Sequence, residues 1–133
     1  MKYMLDTNIC IYIIKKKPIN VFQTFQSLKV GDVCISSITF AELQYGVYKS
    51  QHQERNQIAL FNFLAPIEIL SFSDKAASFY GKIRFNLEKR GQIIGPYDLL
   101  IAAHAVSENL ILITNNTDEF SRIPNLQLEN WAE

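Results

Sequence analysis

Four short apolar runs, separated by stretches of helical periodicity, restrict this chain to a narrow set of folds. They are residues 2–5, the "VCIS" after Gly31-Asp32, "IEIL" at 67–70 and "LILI" at 110–113. Such runs present no regular polar face, so they suit strands covered on both sides, as in parallel sheets. Between them, helices are expected over 8–14, 19–29, 37–50, 52–64, 74–90 and 97–108. In the fifth of these, Ala76, Tyr80, Ile83 and Leu87 recur at steps of four, three and four, one face of a helix. Lys15-Lys16-Lys17-Pro18 stops the first helix, Gly91 ends the fifth and Pro96 opens the sixth. A final strand near Gln127–Leu128 is expected. The chain therefore reads as a single α/β domain over 1–133, a three-layer α/β/α sandwich with a central parallel sheet.

Composition narrows the function. The 133 residues suit one core, and 48% of them are apolar. Formal net charge is zero, so no strongly basic surface attracts nucleic acid. The apolar runs fall short of a membrane span, and Asp6 interrupts the N-terminus before any export signal could form, which leads us to expect a cytoplasmic protein. Cys10 and Cys34 lie among apolar residues and read as small core residues.

Open parallel sheets gather ligands beyond the carboxyl ends of their strands. Asp6 follows the first strand, and Glu42 lies within two helical turns of the second. Asp98 stands in the first turn of the helix before the fourth strand. Thr114-Asn115-Asn116-Thr117-Asp118-Glu119 follows that strand directly. Each acid has a local explanation. Asp6 can cap a helix, Glu42 stands at capping-box spacing from Thr39, and Asp98, Asp118 and Glu119 suit helix N-termini. Helix capping does not require all of them to converge on one edge. Converging carboxylates need a cation, and oxygen ligands without His or Cys point to Mg²⁺ or Mn²⁺. His52 and His104 form no metal-spaced pair and read as structural or surface residues.

The blocks "YMLDTNICIYII", "SSITFAELQYGV", "IGPYDLLIAAHA" and "LITNNTDEF" resemble the four motif blocks of PIN-domain ribonucleases, and more closely those of the VapC toxins of bacterial toxin–antitoxin pairs. The resemblance runs along nearly the full chain. It implies a PIN-like sandwich and Mg²⁺-dependent endoribonuclease activity on structured RNA such as tRNA. It also implies homodimers and higher assemblies with a VapB-like antitoxin. Asp6 and Asp98 match the metal-binding aspartates, and Glu42 matches the acid of the second block. Thr7 and Thr114 match supporting hydroxyls. Where many PIN domains carry Asp in the last block, this chain has Asn116, and Asp118 is the candidate to replace the missing charge.

On this reading Asp6, Glu42, Asp98 and Asn116 form the catalytic set, with the three acids holding the metal. Lys15, Lys16 and Lys17, or the row Lys75, Lys82 and Lys89, are candidates to attract RNA. Solvated helix ends and faces explain both equally well. Apolar residues around Tyr45, Val47, Tyr48 and Phe61 mark a candidate partner groove, with a homodimer interface or the core as the alternative. Two rival functions remain, a catalytically inactive RNA-binding PIN domain and a receiver-like Mg²⁺-binding signalling domain. The receiver would need an acid after a middle strand, where this chain has Ser71.

Overall fold

Five parallel strands form one sheet in the order β3-β2-β1-β4-β5. They are β1 (Tyr3–Leu5), β2 (Val33–Ser36), β3 (Glu68–Leu70), β4 (Ile111–Ile113) and β5 (Leu128–Glu129). The helices are α1 (Thr7–Lys15), α2 (Ile19–Gln26), α3 (Ser37–Lys49), α4 (Gln53–Leu64), α5 (Asp74–Lys89), α6 (Pro96–Ser107) and α7 (Thr117–Phe120). The structure is a computed structural model that describes residues 1–133.

Side-chain alternation along the strands creates two cores. Met4 pairs with Cys34 on one side and Leu112 on the other, and all three face the layer built from α5 and α6. Leu5, Val33, Ile35 and Ile113 face the opposite layer, built from α1 to α4. The split follows from connection handedness. The chain steps from β1 to β2 to β3 in one direction, with α1–α4 on one face. It then reverses, passing back over β2 and β1 to reach β4. Because parallel crossovers are right-handed, a reversal of direction moves the connecting helices to the other face. The reversal leaves a switch point between β1 and β4. There the Asp6 N–H donates to the Ile113 carbonyl at 3.0 Å.

The expected elements are all present, every boundary but one within a residue of expectation, and a further short helix, α7, follows β4. α2 ends at Gln26 rather than 29. The Ser27 hydroxyl donates to the Thr24 carbonyl at 2.6 Å, and the Leu28 N–H turns back to Phe25, so the last turn tightens and stops. The last strand is Leu128–Glu129, one residue later than expected. α5 and α6 pack antiparallel: Leu87 and Leu99 share one surface pocket, and Phe79 and Val106 share another. Cys10 and Cys34 are free thiols buried in opposite cores. Burial pushes the Cys34 thiol up to about 12, which makes it unreactive. No helix is long and apolar enough to cross a membrane.

Leu112 is fully buried at the sheet centre, so Leu112→Ala should cost about 3 kcal/mol of stability in urea denaturation. Ile58 is 62% exposed, and Ile58→Ala should change stability by less than about 0.5 kcal/mol.

Candidate active site

Asp6 occupies the junction of β1 and α1. Its backbone is extended, and its Oδ1 accepts the Ile9 N–H at 2.9 Å, which caps α1. Capping alone does not account for its surroundings. Asp6 is only 3% exposed. Burial raises its pKa to about 6, the nearby Thr114 hydroxyl and the Ile9 N–H oppose the rise, and the charges of Asp98 and Glu42 add to it.

Glu42 reaches the same place from α3. Ser36 caps that helix, its Oγ accepting the Ile38 N–H at 3.1 Å, so the capping box that the Thr39–Glu42 spacing allows does not form. The Glu42 carboxylate is instead free to cross to α1, where the Thr7 hydroxyl donates to its Oε1 at 2.6 Å. Ser36 Oγ also lies 2.8 Å from His104 Nδ1. His104 is fully buried and packs edge-on against Phe72, in keeping with the structural role expected for it. Burial holds its pKa below the usual range.

Asp98 lies in the first turn of α6, behind Gly95 and Pro96. Burial raises its pKa, and the charges of Glu119 and Glu42 raise it further. Glu119 was not among the residues expected in the site. Its Oε1 accepts the Gly95 N–H at 2.9 Å, and its Oε2 accepts the Asn116 amide at 2.8 Å. These bonds, with Arg122, hold its pKa below the usual range. The neighbouring charge expected from Asp118 therefore comes from Glu119. Asp118 is exposed and its carboxylate makes no hydrogen bond. The readable signal was the three-residue step from Asn116, which puts Glu119 on the same helical side. Asn116 fastens an acid rather than contributing a charge, and its N–H donates to the Thr114 hydroxyl at 3.0 Å.

Asp6, Glu42, Asp98 and Glu119 thus form a chain of coupled charges across the switch point. No three acids, histidines or cysteines approach closely enough to coordinate one ion directly. An all-oxygen set spaced this way suits a small hard cation that keeps part of its water shell, as Mg²⁺ does. Of the three lysines, only Lys15 reaches the groove that contains Glu42. Lys16 ends α1 in the left-handed conformation, with its Nζ 5.6 Å from the Phe22 ring centre, and Lys17 is exposed.

The PIN-domain family pattern matches residues 3–126. Ribonuclease VapC2 of Rickettsia felis is 54% identical over 132 residues, covering 98% of both chains. A tRNA(fMet)-specific endonuclease VapC of Shigella flexneri is 47% identical, covering 99% of both. The crystal structure of VapBC2 from Rickettsia felis, bound to a promoter DNA fragment, superposes with a TM-score of 0.92 at 52% identity. It covers 98% of this chain and 99% of that one. The chain belongs to the VapC ribonucleases of the PIN-domain family. As a VapC-family nuclease it acts on phosphodiester bonds, and the acid-lined switch point is the candidate place for that chemistry. The receiver-like alternative falls away, because β3 is an edge strand followed by Ser71 rather than an acid.

The raised pKa of Asp6 has a consequence for stability. Between the ordinary value near 3.8 and about 6, the folded chain keeps a proton that the unfolded chain has lost. Stability therefore falls as pH rises through that window, and the whole penalty, on the order of 3 kcal/mol, persists above it. In EDTA, Asp6→Asn should raise the urea midpoint at pH 7.5 and leave it almost unchanged at pH 4. An equal gain at both values would show that the carboxylate charge is not the cause.

Proposed function

We propose that the chain is a Mg²⁺-dependent endoribonuclease, the toxin of a type II toxin–antitoxin pair, acting on structured RNA such as tRNA. The observation that carries this reading is the mutual charge coupling of Asp6, Glu42 and Asp98 where the strand order reverses. Three buried or half-buried acids at one point are unfavourable alone and favourable around a cation. The name of the Shigella flexneri relative supports tRNA as the substrate class.

Asp6, Asp98 and Glu42 would hold the ion in part through bridging waters. Bound Mg²⁺ supplies Lewis-acid stabilisation of the scissile phosphate and an acidified water. The residues do the positioning. Thr7 fixes one oxygen of Glu42, leaving the other to orient the attacking water. Glu119 ties Asn116 to the start of α6 and so fixes the direction from which Asp98 enters. Attack by water leaves a 5′-phosphate and a 3′-hydroxyl, with no need for the 2′-hydroxyl. Asp98→Asn should lower cleavage at least a thousandfold with the fold intact by circular dichroism, which single-turnover RNA cleavage would measure. The fragments should ligate without kinase treatment, and cyclic 2′,3′-phosphate ends would overturn the mechanism.

Structures of relatives as VapBC complexes support a VapB-like antitoxin as the partner. A groove of about 270 Å³ between α1, α3 and α4 runs from Leu60 and Val47 past Ile11 and Ile14 to Glu42. Tyr45, Tyr48 and Phe61 stand exposed on the same two helices, α3 and α4. An antitoxin segment seated there brings an Arg or Lys to the acids, and Arg can engage carboxylates through two parallel bonds. Replacing that cation with Ala in the antitoxin should restore part of the cleavage while the complex stays assembled. Full inhibition by the altered antitoxin would mean that steric cover silences the site. A homodimer is part of the same reading, and sedimentation of the free chain tests it.

A further inference from the structure

The acidic site repels RNA phosphates, and of Lys15, Lys16 and Lys17 only Lys15 reaches the groove beside it, so the strand needs another hold. The edge beside Asp98 supplies one. Arg84 in α5 lies against Tyr80 and Glu88, its Nη1 3.0 Å from the Tyr80 hydroxyl and its Nε 3.0 Å from Glu88. Arg90, just past α5, contacts only neutral groups: Asn86 Oδ1, Gln92 Oε1 and the Arg122 carbonyl at 2.7 Å. Arg122 in turn donates to the Ile93 carbonyl at 3.0 Å. Arg84–Glu88 is the only ion pair in the structure, so Arg90 and Arg122 carry charge that no ion pair cancels.

Arg122 adjoins the active site through Glu119, and Arg84 lines the neighbouring pocket. Tyr80, Arg84, Ile93 and Pro96 line a shallow pocket of about 170 Å³, and Pro96 and Leu99 of that pocket flank Asp98 in sequence. Glu119 feels the charge of Arg122 and itself acts on Asp98. Ile93 is 63% exposed beside the pocket. A phenol ring, an aliphatic wall and a guanidinium offer a flat base a stacking surface, and the arginines offer its phosphates cationic partners.

We propose that Arg90 and Arg122 form a track for single-stranded RNA leaving the active site, with one unpaired base in the pocket between Tyr80, Ile93 and Pro96, where Glu88 holds Arg84. This rests on the ribonuclease reading for its ligand, and its test needs no cleavage. The purified free chain is titrated with a short fluorescein-labelled single-stranded RNA in EDTA over a range of salt. Neutralising both arginines to Gln should flatten the slope of log affinity against log salt by about 1.4, since each phosphate contact on a single strand contributes about 0.7. Replacing them with Lys should restore the slope, while Lys29→Gln, at the turn before β2, should leave it unchanged. Tyr80→Ala should weaken binding roughly tenfold without changing the slope, because a stacked base carries no counterions. An unchanged slope in the Gln variant would overturn the track. So would loss of a homodimer in sedimentation with RNA affinity unchanged, which would assign this face to a second copy of the chain. RNA binding that follows the prediction without any cleavage in Mg²⁺ would count against the nuclease mechanism and leave the track standing.

Discussion

The carboxylate of Asp6 is buried at the one place where two strands with opposite connection directions lie side by side, and the surrounding elements are arranged around that cost. Its oxygen caps α1, its N–H extends the β1–β4 pairing, and its charge meets those of Glu42 and Asp98. A carboxylate removed from water by burial favours its neutral form unless a positive charge approaches. The free chain therefore holds a site under electrostatic tension. Whatever positive group enters, whether a cation in the working enzyme or a side chain of an inhibitor, relieves the same repulsion. On the proposed function, one physical term would link catalysis to control.

The supporting contacts divide the work between two sides of the sheet edge. On the α1–α3 side, the Thr7 hydroxyl restrains Glu42, and the Ser36–His104 contact connects the start of α3 to the last turn of α6. On the α6–α7 side, Glu119 joins Asn116 to Gly95, while Arg90 and Arg122 bind main-chain carbonyls around the loop before α6. Asp98 is therefore presented from a loop fastened at several points rather than from a free end. This matters because a displaced carboxylate loses both its hold on a cation and its orientation toward a phosphate. The same fastening leaves guanidinium charge exposed next to an acidic site, which otherwise repels its polyanionic substrate.

Much of this was legible in the residue order. The short apolar runs specified strands covered on both faces, as β1, β2 and β4 are, whereas the edge strand β3 exposes Glu68 and Ile69; the helical stripe of Ala76, Ile83 and Leu87 is the buried side of α5. Asp6, Glu42 and Asp98 could be placed at one sheet edge because each follows or precedes a strand in a fixed direction. Local pattern misassigned two details. Thr39 and Glu42 have capping-box spacing, yet the chain enters α3 three residues earlier, at Ser36. Asp118 and Glu119 are adjacent acids of similar propensity, and only the approach of the α6 loop selects Glu119.

The sequence by itself determined the alternation of strands and helices, the two-sided burial of the sheet and the identity of the acids, because these depend on side-chain chemistry and on periods of two and 3.6 residues. Tertiary structure alone decided the strand order, and with it the switch point between β1 and β4. It also decided that a glutamate 24 residues away would hold the start of α6, and that Arg90 at the end of α5 and Arg122 after α7 would meet at one edge. Those outcomes arise from contacts between elements distant in the chain. No local periodicity encodes them, because each depends on where two independently formed elements meet once both cores are packed.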